Sequence, residues 1–307
     1  MFFALSSPAP AVSVVLPVYN AGPYLRAALD SISAQSFAEF EFIAVDDGST
    51  DDSLAILRRH ALQDSRLVVI TRPNTGIVGA LNDGLAAARG EFVARMDGDD
   101  LALPGRFAAQ LAHLRDHPRC VAVGTDVLYV DPEGAPLVRH RPALLHDPIV
   151  AQLLAGNGGA LIHPSVIFRR VAVEQAGRYR ASYNWIEDLD LYLRLSDLGQ
   201  LANLPEVSLH YRQHPNSVNR TRGDREALRL ELVNPRRRAR GLPALAASVP
   251  APTAPQSRAD WRRHWAYEAV RGGQTASARK NAWRACLTGP QDYRNWQCLR
   301  YTLAHAA

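Results

Sequence analysis

The stretch VSVVLPV, from Val12 to Val18, is a continuous apolar run in which valine dominates. Such a run is typical of a strand that is buried on both faces, as the strands of a parallel sheet are. The segment that follows, YNAGPYLRAALDSISAQ, places apolar residues at helical spacing and has Pro23 near the expected first turn. A buried strand followed by an amphipathic helix predicts the first unit of an α/β fold.

The alternation of strand and helix continues as far as Met96. Further strands are predicted at Phe40–Val45, Arg66–Arg72 and Glu91–Met96, and further helices at Leu54–His60 and residues 79–90. Alternation at this pace indicates right-handed crossovers and a mostly parallel, Rossmann-like sheet flanked by helices.

Beyond Met96 the predicted elements are less regular. We expect a helix at Leu103–His117, a hairpin turning at Asp131–Gly134, a strand at residues 163–170, a helix at residues 184–199 and paired short strands at residues 202–214. Strand and helix signals both persist, so the α/β region is predicted to span residues 1–220.

The composition changes after about Arg220. Asp224–Arg240 reads as a charged amphipathic helix, residues 242–257 as a Pro/Ala-rich linker, and residues 258–305 as two or three amphipathic helices. We therefore predict a helical extension at residues 221–307. Its Trp261, Trp265 and basic residues could pack on the α/β region, mediate dimers or rest on an anionic membrane.

Length and composition limit the class of protein. The chain has 307 residues, a hydrophobic fraction of 47% and a net charge of +5, which suits a globular protein with an anionic partner such as a nucleotide diphosphate or a phospholipid surface. The sequence has no basic stripe with interleaved aromatic residues, so it does not predict nucleic-acid binding. The three cysteines have no metal-binding spacing, which favours buried thiols in a reducing compartment.

The amino terminus and the apolar runs of the chain indicate where in the cell the protein is expected. The amino terminus, MFFALSSPAP, lacks a basic segment and a long apolar core, so it is a poor signal peptide. No apolar run reaches the length that spans a bilayer. We expect a cytoplasmic protein, with peripheral association at the inner face of a membrane left open.

Polar clusters follow each of the first four predicted strands: YN, DDGST, RPNTG and DGDD. In parallel sheets, ligands bind beyond the carboxyl ends of the strands, so these loops predict one site. Asp97 and Asp99 lie two residues apart at the end of a strand and face the same side, where their charges repel unless a cation lies between them. The glycine patterns of dinucleotide-binding proteins, P-loop proteins and α/β-hydrolases are absent. Carboxylates at this edge suit a metal-bridged diphosphate instead.

Several motifs, in order, resemble family 2 glycosyltransferases with the GT-A fold over Val12–Val218. The motifs are VSVVLPVYNAGPYLRAALDSISAQ, DDGSTDDS, RPNTGIVGALNDGLAAARGEFVARMDGDD, HPSVIFRR and EDLDLYLRL. The resemblance implies an inverting, metal-dependent hexosyltransferase. Its donor would be a nucleotide diphosphate sugar, UDP-linked, and its acceptor a hydroxyl of a glycan or a lipid-linked molecule, in assembly of a cell-surface polysaccharide or glycolipid.

The resemblance assigns a metal site to the acidic motif. Asp97 and Asp99 match the family's D-x-D element, which holds Mn²⁺ or Mg²⁺ against the diphosphate, so Asp97 also faces the nucleotide sugar. The late histidine His214 is a further candidate ligand. Asp100 could join this site or cap the helix that follows.

The resemblance also assigns residues to the nucleotide. They are Pro17, Tyr19, Asp46, Asp47, Arg72, Asn74 and Gly76. An ionised carboxylate only accepts hydrogen bonds, so Asp47 suits the N3–H of a uracil-type base. Two alternatives stay open: Tyr19 could be a core residue, and one of the aspartates could form an Asx turn. Asn82 is expected to pack or to bind backbone.

Glu187 and Asp188 match the family's E-D element, whose aspartate acts as the general base. Asp188 would take the proton of the acceptor hydroxyl as the new bond forms. It could instead only stabilise the helix dipole, and Asp190 is a weaker candidate. His163 could line the acceptor pocket or cap a strand, while Arg212 and Ser217 could contact phosphate.

Two other functions remain open on the sequence alone. A nucleotidyltransferase uses a similar sheet and metal carboxylates, but it usually needs a basic, Gly-rich loop after the first strand. The second alternative is a non-catalytic protein that binds sugar nucleotides.

Overall fold

Four parallel strands form one half of the sheet, as predicted. They are β1 (Val12–Val18), β2 (Phe40–Asp46), β3 (Leu67–Thr71) and β4 (Phe92–Arg95), in the spatial order β3-β2-β1-β4. The computed structural model describes residues 9–215, 225–247 and 255–305. The helices α1 (Gly22–Ser33), α2 (Ser53–Ala61) and α3 (Ile77–Ala87) connect the strands. All four strands therefore end at the same edge of the sheet.

Alternate residues of β1 belong to two different hydrophobic clusters. Val15 packs in one cluster, whereas Val14 and Leu16 pack in the other, and all three are almost fully buried. Both faces of the strand are covered, which is why its sequence is apolar except for the buried Ser13.

The other half of the sheet is mixed. It contains β5 (Leu101–Ala102), β6 (Cys120–Val130), β7 (Pro136–Arg139), β8 (Ile167–Arg169) and β9 (Gln200–Arg212). The sheet continues from β4 in the order β8-β6-β9-β5, with β7 paired to β6. The strand β8 runs antiparallel to β4, and β9 runs parallel to β6. The paired short strands expected at residues 202–214 are wrong: β9 is one strand, because a register shift opposite Thr125 and Asp126 accommodates Pro205.

Four helices accompany the mixed half. They are α4 (Arg106–Asp116), α5 (His146–Leu154), α6 (Arg170–Gln175) and α7 (Glu187–Leu195). The helix α4 begins three residues later than Leu103, so it starts beyond Pro104. Short 3₁₀ turns lie at Gly158–Ala160, His163–Ser165 and Ala181–Tyr183.

The carboxy-terminal region contains α8 (Arg225–Ala239), α9 (Arg258–Arg271), α10 (Thr275–Thr288) and α11 (Tyr293–His305). Leu232 and Val233 of α8 pack in the cluster that also includes residues of α5 and α7. The linker predicted at residues 242–257 is described only at residues 242–247 and 255–257. The division of the chain at residue 220 stays a prediction.

The helix α9 lies on β7. Trp265 is buried and packs in one cluster with Leu137, and Trp261 packs against that cluster. Arg262 forms an ion pair with Glu133, at 2.6 Å. These two tryptophans therefore pack against the α/β region. None of the helices in the described ranges has both the length and the apolar character that crossing a bilayer requires.

Candidate active site

The loops after β1, β2 and β3 are joined to one another. The Asn20 amide donates to Ser49 Oγ at 3.0 Å, and the Thr50 amide donates to Asn20 Oδ1 at 2.8 Å. Gly48 has a φ of +71°, and a Cβ there would lie 2.8 Å from the Asn74 nitrogen, so only glycine fits. Three polar loops thus form one continuous wall at the carboxyl edge of the sheet.

Asp47 lies at the centre of this wall. Its carboxylate accepts hydrogen bonds from the amides of Thr75 and Gly76, at 3.1 and 2.8 Å, and Arg72 Nε lies 3.2 Å from it. These contacts hold the third loop against the second. A carboxylate offers about four acceptor positions, so Asp47 retains capacity for a ligand donor. Asp46 is buried, and its Oδ1 accepts a long 3.4 Å hydrogen bond from the Ser49 amide.

The other residues predicted to bind the nucleotide differ in exposure. Tyr19 is 54% exposed, so it is not a core residue. Asn74 is exposed and Pro17 is half-buried. Arg72 also forms an ion pair with Asp83 at 2.7 Å, so its guanidinium braces the loop. Gly76 has a φ of +93° and lies directly before α3. Tyr19, Asn74 and Gly76 therefore face the space above the wall or border it.

Three carboxylates lie together after β4. One oxygen from each of Asp97, Asp99 and Asp100 falls within 4.8 Å of the others. Oxygen-only donor sets of this kind are what Mg²⁺ and Mn²⁺ take. Burial raises the pKa of Asp97, and burial together with the charges of Asp99 and Asp97 raises that of Asp100 well above its usual range. The residues present fit a divalent cation, which would relieve this repulsion.

Asp100 is fixed from the opposite strand. Its Oδ1 accepts a hydrogen bond from the Arg212 amide at 2.8 Å. The Arg212 guanidinium donates to the Asp99 carbonyl at 2.8 Å and lies over the Tyr24 ring. Asp100 thus joins the acidic cluster to β9 and does not cap α4, whose preceding residue is Gly105.

His214 also contacts the cluster. Its Nε2 lies 2.8 Å from Asp99 Oδ2, and its ring packs 4.8 Å from that of Tyr24. This contact uses one of the two Asp99 oxygens. The structure places His214 as a hydrogen-bond partner of Asp99, beside the three carboxylates, and its role as a metal ligand stays a prediction.

Asp188 and Glu187 form the first turn of α7. Glu187 is buried, and burial together with the charge of Asp188 raises its pKa to about 7. Burial also raises the pKa of Asp188, against the opposing charges of Arg95 and Arg225. A Cβ built on Gly158 would lie 3.3 Å from both Asp188 oxygens, so the backbone of the 3₁₀ turn directly faces this carboxylate. The Asp188 carboxylate, whose basicity is increased, therefore lies beside Gly158, which has no side chain.

Arg95 connects the two acidic groups and was missed by the sequence reasoning. It is 3% exposed, forms an ion pair with Asp97, and its charge lowers the pKa of Asp97, Asp188 and Glu187. A buried arginine needs such partners. The signal was available, because Arg95 interrupts the apolar strand FVAR. The Arg95 charge thus acts on Asp97, which it contacts, and also on the carboxylates at the start of α7.

Trp185 was also missed. It has a φ of +78°, which is strained for a bulky residue, and the Arg225 guanidinium lies 5.2 Å from the centre of its ring. Arg225 in turn acts on Asp188. Trp185 and Arg225 therefore border the carboxylate that the resemblance assigns as the base.

Other candidates contact neighbouring side chains or backbone. Asp190 is fully buried and pairs with Arg194 at 2.6 Å and with Arg180. His163 Nε2 lies 2.7 Å from the Tyr179 hydroxyl, and burial lowers the pKa of this histidine well below its usual range. Asn82 binds the backbone of Tyr179 in both directions, as expected. Ser217 lies outside the described residues.

The residues from 13 to 177 match the family model described as Glycosyl transferase family 2. The chain is a family 2 glycosyltransferase. The predicted family is thereby confirmed, and the predicted GT-A fold is shared by the solved glycosyltransferases TarS and PcManGT.

Curated relatives agree with the family. The enzyme is 32% identical over 216 residues to the putative glycosyltransferase EpsE of Bacillus subtilis, which covers 69% of this chain and 76% of that protein. It is 34% identical over 215 residues to the amylovoran biosynthesis glycosyltransferase AmsE of Erwinia amylovora, covering 69% and 79%.

Solved structures share the fold. S. aureus TarS 1-349 in complex with UDP-GlcNAc has a TM-score of 0.57 and 17% identity, covering 91% of this chain and 73% of that one. The mannosyltransferase PcManGT from Pyrobaculum calidifontis, in complex with GDP-Man and Mn2+, has a TM-score of 0.56 and 20% identity, covering 98% and 86%. At these identities the likeness concerns the fold alone.

Proposed function

We propose that this family 2 glycosyltransferase is an inverting enzyme of hexosyltransferase type. It moves a sugar from a UDP-linked donor to an acceptor hydroxyl during assembly of a cell-surface polysaccharide or glycolipid. The observation that carries the proposal is a pair of acidic features: three carboxylates within 4.8 Å of one another after β4, and a separate carboxylate, Asp188, that faces the 3₁₀ turn at Gly158. The three clustered carboxylates suit a cation that binds the leaving diphosphate, and Asp188 suits the incoming hydroxyl.

The wall of polar loops would hold the nucleotide. Asp47 and Asp46 would receive the base and ribose, and Asp47, already fixed by two amides, would accept the N3–H of uracil. Pro17 and Tyr19 would frame the base. Arg72, Asn74 and Gly76 would border the ribose and phosphates. The complexes of the two structural neighbours hold UDP-GlcNAc and GDP-Man, so the choice of uracil rests on Asp47.

The acidic cluster would hold the cofactor. Asp97 and Asp99, with His214 as a further ligand, would bind Mn²⁺ or Mg²⁺, which when bound neutralises charge on the diphosphate. Arg95 and Arg212 fix Asp97 and the Asp99 backbone, so these donors are already positioned. The Mn2+ in the PcManGT complex supports a divalent cation here.

Asp188 would act as the general base. An inverting transfer needs a carboxylate on the acceptor side that takes the hydroxyl proton as the sugar bond forms. Its raised pKa makes the Asp188 carboxylate a stronger base than an exposed aspartate. Gly158, which lies beside the two oxygens, has no side chain that would cover them.

The product distinguishes this function from a nucleotidyltransferase. We expect the enzyme, given UDP-sugars, Mn²⁺ and water or a sugar acceptor, to release UDP. Release of pyrophosphate would instead indicate nucleotidyl transfer, and absence of any turnover across UDP- and GDP-sugars would favour a binding protein. The comparison with polysaccharide-biosynthesis relatives favours transfer.

We expect the rate to depend on pH through the Glu187–Asp188 pair. Both carboxyl groups have raised pKa values, that of Glu187 to about 7, so the pair binds a proton as the pH falls through the neutral range. The base is active only when ionised, and kcat/KM should therefore rise with pH across this range. Glu187→Gln removes the neighbouring charge and should shift the acidic limb to lower pH. A flat profile between pH 5 and 8 would contradict this.

Gly158→Ala tests the approach to Asp188. The added methyl would lie 3.3 Å from both carboxylate oxygens. We expect kcat to fall about tenfold, less than the roughly 10²–10⁴-fold that general-base catalysis contributes, because the carboxylate is crowded and not removed. Gly105→Ala is the matched control, because a Cβ there meets nothing within 4 Å. UDP binding measured by calorimetry should be the same in both variants. Equal kcat values would show that Gly158 does not border the reacting hydroxyl.

A further inference from the structure

The outer surface of the carboxy-terminal helices is apolar and aromatic. Several large side chains on α10 and α11 are about half exposed or more, among them Trp283 (52%), Leu287 (65%), Trp296 (47%) and Leu303 (58%). We call these four residues the aromatic face. The opposite sides of the two helices are buried, at Ala278, Ala282 and Ala285 of α10 and at Asn295, Cys298 and Thr302 of α11.

The spacing makes the aromatic face continuous. Trp283 and Leu287 are four residues apart on α10, while Trp296 and Leu303 are seven apart on α11, so each pair lies on one side of its helix. The rings of Trp283 and Trp296 meet edge to face, with centroids 6.5 Å apart. A contiguous exposed apolar patch of this kind marks an interaction surface more often than scattered exposed residues do.

Basic residues lie on the same sides of α10 and α11 as the aromatic face. Arg279 precedes Trp283 by four residues, and Arg300 follows Trp296 by four. Neither α10 nor α11 contains an aspartate or a glutamate. Residues 255–305 carry nine lysines and arginines against three acidic residues, whereas the whole chain has 35 against 30. Six of these nine form ion pairs with carboxylates, namely Arg262, Arg263, Arg271, Lys280, Arg284 and Arg294. The positive charge beside the aromatic face therefore comes from the exposed Arg279 and Arg300.

The positive charge beside the aromatic face indicates what kind of partner binds there. Two copies of this face would bring like charges together, which disfavours a symmetric dimer. An anionic lipid surface complements the charge, and tryptophans beside arginines are the side chains that settle at the boundary between headgroups and acyl chains. We propose that the aromatic face docks the protein onto anionic phospholipid, with Trp283 and Trp296 inserted and Arg279 and Arg300 at the headgroups.

This docking goes beyond the proposed transfer reaction and does not depend on it. Trp261 and Trp265, the tryptophans singled out by the sequence, are packed on β7 and are not part of the face. The face belongs to helices that are fixed to the α/β region through α9 and its Arg262–Glu133 ion pair. A docked protein would therefore hold its catalytic region at the lipid surface, where a lipid-linked acceptor would lie.

Co-sedimentation with vesicles tests the proposal in the full chain. We expect binding to vesicles of mixed phosphatidylcholine and phosphatidylglycerol, and little binding to phosphatidylcholine alone. Trp283→Ser combined with Trp296→Ser should weaken partitioning roughly tenfold, because two inserted aromatic side chains are lost. Leu62→Ser is the matched control, since Leu62 is 88% exposed but lies beside α2. Arg300→Glu should weaken binding more than Arg59→Glu on α2.

A second measurement covers the case in which the serine variant folds poorly. Brominated phospholipid should quench the tryptophan fluorescence of the wild type on binding. Trp283→Phe combined with Trp296→Phe should retain vesicle binding and lose most of the quenching. Equal partitioning of the wild type and the serine variant, or equal binding to neutral vesicles, would overturn the proposal. So would self-association through this face without vesicle binding.

Discussion

Asp188→Asn should reduce sugar transfer about a thousandfold, the middle of the range for general-base catalysis. The substitution preserves the shape of the side chain and its place in the first turn of α7, but an amide cannot take the acceptor proton. Calorimetric binding of UDP with Mn²⁺ should stay within about twofold of the wild type, because Asp188 does not contact the acidic cluster in the structure. Transfer is measured as UDP release with saturating donor.

The matched control is Asp147→Asn. Asp147 also lies in the first turn of a helix, α5, and is exposed. If Asp188 only stabilised the dipole of its helix, both variants would lose less than about 1 kcal/mol of stability and neither would lose activity. Substantial turnover by the Asp188→Asn variant would therefore remove this residue as the base and leave the dipole role.

Asp99→Ala should weaken Mn²⁺-dependent UDP binding by at least about tenfold, the low end of what loss of a group that holds or orients a metal costs. The variant removes one of three clustered carboxylates and also the partner of His214. Binding is measured by calorimetry with Mn²⁺ and with a chelator. The two affinities should differ strongly in the wild type and only slightly in the variant.

Asp116→Ala serves as its control, because Asp116 is an exposed aspartate at the end of α4, outside the cluster. It should bind UDP as the wild type does, with and without Mn²⁺. An unchanged metal-dependent affinity in the Asp99→Ala variant would mean that the acidic cluster is not the metal site. The family assignment would stand, but the cofactor would have to be held elsewhere.

The first half of the fold was predictable because its signals are local. The parallel strands are mostly apolar runs, and the helices between them have clear periodicity. The helices and strands that were not predicted, or were predicted wrongly, are those whose local sequence signals are weak. The helix α6 has six residues and β5 has two, while α5 has a proline in its first turn. The strand β9 contains Pro205, which reads as a break until the register shift in its pairing with β6 is seen.

The sequence by itself determined the polar edge of the sheet. Parallel strands direct their carboxyl ends to the same side, so the loops containing Asp47, Arg72 and Asp97 had to meet once the four strands were recognised. It also determined that Asp97 and Asp99 lie close together, because they are two residues apart.

Only the tertiary structure decided which distant groups join that edge. His214 reaches Asp99 across 115 positions of sequence, and Arg212 reaches Asp100 across 112. Both contacts depend on β9 pairing with β5 and β6, which no local pattern specifies. The burial of Arg95 between two acidic groups and the exposure of Trp283 and Trp296 also follow from packing. An isolated segment has no fixed neighbours, and the environment of a side chain is set only when the whole chain has folded.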